Sequence, residues 1–438
     1  MQGLACPRCF ARLNESRCNS CAINYSQLGD IFWLWPDPVN ALLDWRNRFN
    51  YHLAKIEAEQ ALAKSDNHAI TKSRAQAHAK HLERYSAEIR AVLSPFNISE
   101  PLAPEIHAAL KTQLPDHHGL DAYNPNIFRD WVWGEEENEL TSELIANNVA
   151  EMNEPEVLVL GAGAGRLSYD LHKRLGAKST CSLDSNPLLA AIASHMFQGE
   201  EVQLTEFPLA PIGPGAIPHT LSSTGKLANL HSVCGDALAA PFAANSFDVV
   251  VTPWLIDVID TSLPSLLEHV SSLLKPGGTW VNHGSLAFES AQPGERYTAE
   301  ELSGLASEAG FDVLEQIDTP LPYLQSPHSR QKRIETTHTL ICTIDSPLNE
   351  RPKSIAWVPD WINDPSKPIP LETEFQTQIT STRVASFIMG HLDGKRSISD
   401  IAEVMETQRL MPKLDALEAI RNFLKTMQAE RLEQQRRG

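Results

Sequence analysis

The clearest pattern of apolar positions lies in the middle of the chain. Residues 156–160 (EVLVL) and 247–252 (FDVVVT) are short runs dominated by valine and leucine. Runs of this length and composition predict strands that are buried on both faces of a parallel sheet. Two shorter runs end at Asp184 and Asp236, and residues 279–282 form another. We therefore expect an α/β fold with a doubly wound, Rossmann-like sheet.

Helical and irregular patterns flank these strands. Residues 40–112 lack glycine and repeat apolar residues at helical spacing, which predicts helices. Residues 206–225, with four prolines, predict an irregular loop between the second and third strands. Residues 311–317 and 337–342 are expected to be the closing strands. The histidine pair at 117–118 is interpreted as part of a polar loop.

The glycines after the first predicted strand indicate a ligand-binding turn. Gly161, Gly163 and Gly165 separate the strand from a predicted helix at 166–175. Such a turn brings bare backbone and a helix N-terminus to a ligand. The spacing is G-x-G-x-G, not the G-x-G-x-x-G of dinucleotide folds. It is usual in proteins that bind S-adenosylmethionine (SAM), although glycine-rich turns also occur for packing reasons.

Two acids stand where such a fold places cofactor ligands. Asp184 lies nineteen residues beyond Gly165 at the end of a strand, which suits the ribose hydroxyls. Asp236, in the sequence CGD, suits the adenine amino group, and its alternative role is a helix cap. A Lys-Pro-Gly-Gly turn at 275–278 completes the order. Together these features predict a class I SAM-dependent methyltransferase.

Four cysteines near the N-terminus predict a metal site. Cys6, Cys9, Cys18 and Cys21 form two CxxC pairs separated by eight residues, the spacing of a zinc ribbon. Four thiolates close a tetrahedral structural Zn²⁺ site with no open position for catalysis. We therefore predict four regions. They are a zinc ribbon at 1–36, a helical subdomain at 37–136, a methyltransferase domain at 137–345 and a C-terminal helical domain at 346–438.

Composition and charge limit the classes of partner and the cellular compartment that we expect for this chain. The 438 residues carry a net charge of −18, a poor match to a phosphate backbone, so nucleic acid is not the expected partner. The basic stretch 330–333 is interpreted as a solvated loop. No apolar run reaches the ~20 residues that span a bilayer, and no signal peptide is indicated. Seven cysteines, four in metal-type spacing, favour a reducing cytoplasm over a disulfide scaffold.

The C-terminal region carries a second, smaller signal. Six prolines between 347 and 370 predict a linker, and helical patterns follow at 383–391, 399–406 and 414–434. The stretch VASFIMGHLDGKRSISDIAEVM resembles the winged-helix-like fold of PqqD-type peptide-binding modules. That resemblance implies peptide or protein docking. The alternative is a helical lid or dimer arm.

Residues 45–345 as a whole resemble the carnosine N-methyltransferase family. The motifs that carry the likeness are FRDW at 128–131, VLVLGAGAGRL at 157–167, CGD at 234–236, FDVVVTPWLIDVID at 247–260 and LLKPGGTWVNHG at 273–284. The resemblance implies SAM-dependent N-methylation of an imidazole in a histidine-containing dipeptide or peptide. Without it, the segment containing Arg129 would be interpreted as a helix that packs against the sheet.

The resemblance also implies roles for individual residues. Asn126 and Arg129 would hold the methionine end of SAM, and Gly161 and Gly163 would pass along the cofactor. Asp184 would bind the ribose. The remaining cofactor contacts implied are Asp236, Ala237 and Trp254. Asn126 stands where the family has glutamine, a longer amide with the same donors and acceptors.

Asp257 and His283 are the candidate catalytic residues. Asp257 matches an acid that hydrogen-bonds the substrate imidazole, and its alternative role is a helix cap. The family pattern is not kept at Glu289, which replaces a histidine, or at 334–336, which replaces a run of tyrosines. His283 stands where the family has an apolar residue. We therefore expect an intact cofactor half and a rebuilt substrate pocket.

Two other functions remain open from sequence. A peptide-modifying enzyme of a biosynthetic pathway would use the C-terminal domain to capture its substrate. An RNA or protein methyltransferase would use the zinc ribbon for docking, and the acidic charge balance speaks against RNA.

Overall fold

The computed structural model describes residues 3–97, 120, 123–149, 152–259, 261–290, 292–352, 366–371 and 373–437. The predicted histidine loop at 117–118 and most of the predicted linker lie outside these residues. The chain divides into two compact units, Met1–Ile355 and Ala356–Gly438. The domain boundaries set at 36, 136 and 345 stay predictions.

The strands of the first unit form one large sheet and two hairpins. In chain order they are β1 (Arg17–Cys18), β2 (Ile23–Asn24), β3 (Ser26–Leu28), β4 (Ile31–Trp33), β5 (Glu156–Leu160), β6 (Ser179–Asp184), β7 (Val202–Glu206), β8 (Ile217–Leu221), β9 (Leu230–Cys234), β10 (Phe247–Pro253), β11 (Leu274–Gly284), β12 (Asp312–Tyr323) and β13 (Arg333–Ile344).

Helices lie before the first central strand β5, between the later strands and in the C-terminal unit. In chain order they are α1 (Pro38–Ser65), α2 (Lys72–Val92), α3 (Asn124–Phe128), α4 (Glu135–Asn147), α5 (Arg166–Arg174), α6 (Pro187–Gln198), α7 (Leu263–Leu273), α8 (Ala299–Glu308), α9 (Thr373–Gly390), α10 (Ile398–Thr407) and α11 (Lys413–Arg437). A π-helical turn, Arg129–Trp133, joins α3 to α4.

The large sheet confirms the doubly wound α/β prediction. Its nine strands run in the order β12-β13-β11-β10-β5-β6-β9-β4-β3. Strands β9, β6, β5, β10 and β11 are parallel, and β13 and β12 add antiparallel pairs at one edge. The chain moves outward from β5 through β6 to β9 and then returns to β10. The crevice at the carboxyl ends of β5 and β10 is therefore the switch point where such folds bind ligands.

Burial on both faces explains why the central strands are continuously apolar. Val157 and Val159 of β5 pack with α4 and α5 on one face of the sheet. Leu158 and Leu160 pack with α7 on the opposite face. Successive side chains of a strand point to opposite faces, so a strand covered on both faces needs apolar residues at every position.

The segment predicted as an irregular loop contains a strand. β8 pairs antiparallel with β7, from Val202↔Leu221 to Glu206↔Ile217. The prediction was wrong there because prolines were taken to exclude a strand. Pro218 is tolerated because a two-stranded hairpin has only edge strands. The closing strands β12 and β13 also run beyond their predicted bounds, and the Thr298 side chain caps α8.

The N-terminal segment is joined to the sheet. β4 pairs in parallel with β9, and Ile31 aligns with Ser232. Leu34 donates its backbone N–H to the Cys234 carbonyl at 3.0 Å, which continues the pairing to the carboxyl end of β9. The cysteine cluster thus precedes a strand that extends the large sheet.

The second unit has its own small core. Its described residues form the three helices α9, α10 and α11, around Ile388, Ile401, Met405 and Ile420. Ser397 caps α10: its hydroxyl accepts from the Asp400 N–H, and the Asp400 carboxylate accepts from the Ser397 N–H. The likeness to a PqqD-type module stays a prediction. None of the helices in the described residues is long and apolar enough to cross a bilayer.

Candidate active site

A cavity of about 420 Å³ opens at the switch point of the sheet. Pockets of this size are typical of small-molecule sites. Nine of the residues predicted to bind cofactor or substrate line it. They are Asn126, Arg129, Gly161, Gly163, Asp184, Asp236, Ala237, Trp254 and Asp257. Gly165 and His283 do not.

The glycine turn supplies the floor of the cavity. Gly161 and Gly163 have φ angles of 71° and 59°, which favour glycine. A Cβ on Gly161 would lie 3.0 Å from Leu255. Gly165 faces the core instead, where a Cβ would lie 2.7 Å from that of Ala193. Gly161 and Gly165 therefore allow close packing, against Leu255 and Ala193 respectively, whereas Gly163 leaves open space, since the nearest atom to its Cβ would be 3.9 Å away.

Asp184 is tied to this turn. One carboxylate oxygen accepts from the Gly163 N–H and the other from the Asn186 N–H, both at 2.8 Å. Burial raises the pKa of Asp184 to about 6, although these backbone donors oppose the shift. Asp236 also caps a short 3₁₀ turn by accepting from Leu238 N–H at 2.9 Å, as its alternative role predicted. Burial raises its pKa too.

The Arg129 guanidinium sits between two buried carboxylates. It donates to Asp130 at 2.7 Å and to Glu137 at 3.2 Å. Burial raises the pKa of both carboxyl groups, and Arg129 opposes the shift. Burial would lower the pKa of Arg129, but the two carboxylates outweigh it and raise it.

A π-helical turn fixes this arginine. Gly134 N–H donates to the Arg129 carbonyl, and Asn138 Nδ2 donates to the same oxygen at 3.0 Å. Turns of this kind recur at functional sites because they redirect side chains within a helix. Trp131 Nε1 donates to the carbonyl of Ala164 at 2.8 Å. The FRDW segment and the glycine turn are therefore locked together.

Trp254 carries backbone strain at the end of β10. Its φ is 50°, a region that bulky residues rarely occupy. Its N–H donates to the His283 carbonyl at 2.7 Å, and a Cβ on Gly284 would lie 3.0 Å from the Trp254 Cα. Strain of this kind persists where the surroundings enforce it, commonly at binding sites. The indole packs against the Tyr323 ring at an interplanar angle of 36°, with centroids 4.3 Å apart.

Asp257 faces the cavity from the loop after β10. Its Oδ2 accepts from Ser285 Oγ at 2.5 Å and from the Ala287 N–H at 3.1 Å. No hydrogen bond from the described residues engages Oδ1. The carboxylate is thus oriented from the loop after β11, while one oxygen remains for a ligand.

His283 lies behind the cavity wall. Its Nδ1 shares a 2.8 Å hydrogen bond with Thr339, its Nε2 lies 3.5 Å from Thr141 Oγ1, and its ring meets that of Trp254 edge-on. Burial lowers its pKa to about 4, and Arg129 adds to the shift. The imidazole is therefore neutral at pH 7 and supports Trp254. The geometry gives it no place to touch a ligand in the cavity.

The cavity includes residues that the sequence analysis did not single out as site residues. Those with polar side chains include Tyr123, Asp130, Glu137, Thr141, Ser285, Tyr323 and Arg333. Tyr323 and Arg333 face each other across β12 and β13, and the guanidinium lies 4.4 Å from the ring centroid. Ile334 is exposed and Glu289 is not among the lining residues. The aromatic residue on this side of the cavity, Tyr323, lies in β12. No motif in the sequence marks it.

The four cysteines converge as a metal site would require. Their Sγ atoms all lie within 4.8 Å of one another, and those of Cys9 and Cys18 are 3.5 Å apart. A tetrahedral Zn²⁺ with Zn–S bonds of ~2.3 Å needs sulfurs about 3.8 Å apart. Cys18 is the last residue of β1, and Cys21 lies within the turn between β1 and β2. The donor set fits Zn²⁺.

The chain is similar in sequence to proteins named carnosine N-methyltransferase. The family model for carnosine N-methyltransferase matches residues 212–343. The carnosine N-methyltransferase of Schizosaccharomyces pombe is 24% identical over 240 residues, which cover 46% of this chain and 62% of that protein. The enzyme of the same name from Dictyostelium discoideum is 29% identical over 153 residues, covering 30% and 32%.

The chain resembles the carnosine N-methyltransferases. The likeness covers less than half of it, and the chain spans less than two thirds of either relative's length. Within the cavity, the lining residues from Asp236 to Arg333 fall inside the region that the family model matches, whereas those from Tyr123 to Leu189 lie outside it.

Solved structures add little beyond this. A SAM-dependent methyltransferase from Aquifex aeolicus is 13% identical, covers 54% of this chain and 97% of its own, and has a TM-score of 0.32. The N-methyltransferase NodS from Bradyrhizobium japonicum is 14% identical, covers 48% and 97%, and scores 0.33.

Proposed function

We propose that this protein is a SAM-dependent methyltransferase that methylates an imidazole nitrogen in a histidine-containing dipeptide or peptide. One observation carries the proposal. The glycine turn, Asp184 and Asp236 form one side of a single cavity, and Asp257 faces it from the other. The resemblance to carnosine N-methyltransferases supports the acceptor.

The lining of the cavity fits SAM. Asp184, beside the Gly163 backbone, would accept the ribose hydroxyls, and Asp236 with Ala237 would face the adenine. Arg129 keeps N–H donors for the methionine carboxylate, with Asn126 nearby. Five carboxylates and two guanidiniums line the cavity, an acidic balance that suits a ligand with a sulfonium and an ammonium group. When bound, SAM supplies an electrophilic methyl group.

Asp257 has the geometry for a substrate-orienting carboxylate. Ser285 and Ala287 hold Oδ2, so Oδ1 can accept a hydrogen bond from one imidazole N–H. That bond fixes the tautomer and leaves the lone pair on the other nitrogen. The carboxylate also stabilises the positive charge that develops on the ring as it is methylated, and it can take the proton afterwards. Trp254 and Tyr323 would form the aromatic wall.

The predicted zinc ribbon has a structural role in the proposal. The cysteine cluster would hold a structural Zn²⁺ that fixes the turn preceding β3 and β4. The four cysteines would bind the ion as thiolates, so a reducing compartment such as the cytoplasm is part of the proposal.

A side-by-side transfer assay tests the function. Methyl-labelled SAM is offered with carnosine, a pool of histidine-containing peptides or total RNA, using wild type and Asp257→Ala. We expect label on carnosine or peptide and its loss in the variant. Glu289→Ala, at an exposed acid outside the cavity, is the matched control. Label on RNA, or tight SAM binding with no label on any imidazole, would contradict the proposed acceptor.

A second candidate function is modification of a peptide captured by the C-terminal unit. A groove of about 820 Å³ in that unit is lined by the exposed side chains of Ile369, Leu371 and Ile379, with Arg383 beside them. Apolar grooves of this kind bind short peptides. Under this reading, Ile379→Asp in the full chain raises KM for a peptide acceptor while leaving the Kd for SAM unchanged. An unchanged KM for every accepted peptide would remove this candidate.

A further inference from the structure

Two histidines and a glutamate meet beside the cavity. Glu206 is the last residue of β7, His219 lies in β8, and His328 lies in the loop between β12 and β13. Each offers one ligand atom, and the three atoms lie within 4.8 Å of one another. Glu206 is 5% exposed and the two histidines are partly buried. No step of the proposed reaction uses this cluster.

Backbone contacts, not the three side chains, bring these segments together. Within the hairpin, Leu204 aligns with His219, so Glu206 and His219 are diagonal neighbours. The loop that carries His328 is paired with residues 210–212. Ile212 N–H donates to the His328 carbonyl at 2.9 Å, and Arg330 N–H donates to the Ala210 carbonyl at 3.0 Å. The ligand atoms are therefore placed by the fold before any ion binds.

The carboxylate is oriented as metal ligands usually are. Glu206 Oε1 accepts from Ser326 Oγ at 2.7 Å, and Oε2 lies 2.8 Å from His219 Nε2. Hydrogen bonds that orient a ligand from behind commonly account for 10- to 100-fold of metal affinity, so Ser326 would matter about that much.

We propose that Glu206, His219 and His328 form a second metal site, for a divalent transition ion of the Zn²⁺ class. Two imidazoles and one carboxylate, with a coordination position left for water, are a common donor set for such ions. Ligand bonds of ~2.1 Å require donor atoms about 3.0–3.4 Å apart, which small side-chain rotations reach from the observed spacing. The proposal does not rest on the proposed methyl transfer.

A bound ion would link the loop between β12 and β13 to the hairpin formed by β7 and β8. The His328 loop joins Tyr323 at the end of β12 to Arg333 at the start of β13, and both line the cavity. On the other side, the His219 ring lies 5.5 Å from that of Phe128, the residue before Arg129. A bound ion would therefore fix two walls of the cavity at once, without touching its contents.

An ordinary histidine–glutamate hydrogen bond is the competing explanation. The chain offers a control, because His195 and Glu200 form a 2.6 Å pair on the surface. Within the part of the chain that the structure describes, that pair belongs to no group of three metal-ligating side chains.

Metal counting and cobalt spectra test the proposal. Full-length protein is supplied with Zn²⁺ or Co²⁺, dialysed, and analysed for metal per chain. Wild type should retain two equivalents, one with the thiolate charge-transfer bands of a cysteine site and one without them. His328→Gln and His219→Gln should each lose the second equivalent and keep the thiolate bands, whereas His195→Gln should keep both.

For wild type and His328→Gln, either of two outcomes would overturn the site. One is a single equivalent in wild type that carries only thiolate bands. The other is an unchanged count in folded His328→Gln, verified by circular dichroism. Should the histidine variants fail to fold, Ser326→Ala keeps all three ligands, and it should weaken the second Co²⁺ by about tenfold. An unchanged Co²⁺ affinity in that variant would also contradict the proposal.

Discussion

The two sides of the central cavity are built in different ways. The side assigned to SAM comes from the ends of adjacent parallel strands, where Gly163 and Asp184 are joined by a 2.8 Å hydrogen bond. The side assigned to the acceptor comes from loops far apart in sequence, where Asp257 meets Ser285 and Tyr323 packs against Trp254. Local sequence therefore specifies the first side, whereas long-range packing specifies the second.

This difference has a functional consequence. The strand-end geometry leaves little freedom on the SAM side, because moving Asp184 would break bonds to two backbone N–H groups. The acceptor side can be rebuilt by exchanging side chains in loops without disturbing the sheet. We therefore expect substitutions on the two sides to separate SAM binding from catalysis.

The largest effect is expected at Asp257. Asp257→Asn keeps an acceptor for Ser285 and Ala287 but removes the charge that stabilises the methylated ring, so kcat should fall by roughly 10²- to 10³-fold. The Kd for SAM, measured by calorimetry, should stay within about twofold, since ligand contacts on the other side are unchanged. A large loss of SAM affinity would show that the cavity is not divided as described.

Asp184 should show the opposite split. Asp184→Ala removes a buried charged acceptor, which should weaken SAM binding by about 100-fold, because charge-assisted hydrogen bonds contribute roughly 1.5–3 kcal/mol each. Asp170→Ala is the control, since that carboxylate pairs with Arg166 and does not line the cavity. Equal SAM affinity in wild type and Asp184→Ala would remove Asp184 from the cofactor side.

A smaller effect is expected from the aromatic wall. Tyr323→Ala removes the ring that packs against Trp254, and such pairs contribute ~0.5–1.5 kcal/mol beyond burial, so KM for the acceptor should rise up to about tenfold. Exposed Ile334→Ala, one residue beyond the facing Arg333, is the control. A rise in the Kd for SAM with an unchanged acceptor KM would move Tyr323 to the cofactor side.

The pH dependence of SAM binding gives the smallest expected effect. The pKa of Asp184 is raised to about 6, so its carboxylate form is present above that pH and is lost as pH falls through it. Protonation removes one acceptor and the negative charge, and the Kd for SAM should rise about tenfold between pH 7 and 5. His283, with a pKa of about 4, stays neutral over this range.

The Asp184→Asn variant identifies the titrating group. Its SAM affinity should be weaker than that of wild type and flat between pH 5 and 7. A wild-type slope that persists in the variant would assign the titration to another carboxyl group of the cavity.

The sheet and the cofactor side were accessible from sequence because their signals are local. The apolar strand at 156–160, the glycines after it and the acids at the ends of β6 and β9 each fall within a few residues of their neighbours. The doubly wound order then follows from right-handed crossovers. Position alone thus brings Gly161, Gly163 and Asp184 together.

The acceptor side was only partly accessible because its contacts are long-range. Glu137 accepts from Leu324 N–H across 187 positions, and no motif marks either residue. β8 was missed because prolines in a hairpin edge resemble loop prolines. His283 was singled out as unusual in its strand, yet its ring is buried behind Trp254, with Nδ1 hydrogen-bonded to Thr339. Facing direction depends on packing that the sequence does not display.

The most direct test of the central claim locates the transferred methyl group. The protein is incubated with carnosine and SAM carrying a ¹³C-labelled methyl, and the product is examined by two-dimensional NMR. The account predicts correlations from the labelled methyl protons to imidazole ring carbons, which place the methyl on a ring nitrogen. Correlations to a carboxylate, an alcohol or the α-amine, or an unchanged spectrum although SAM binds, would contradict it.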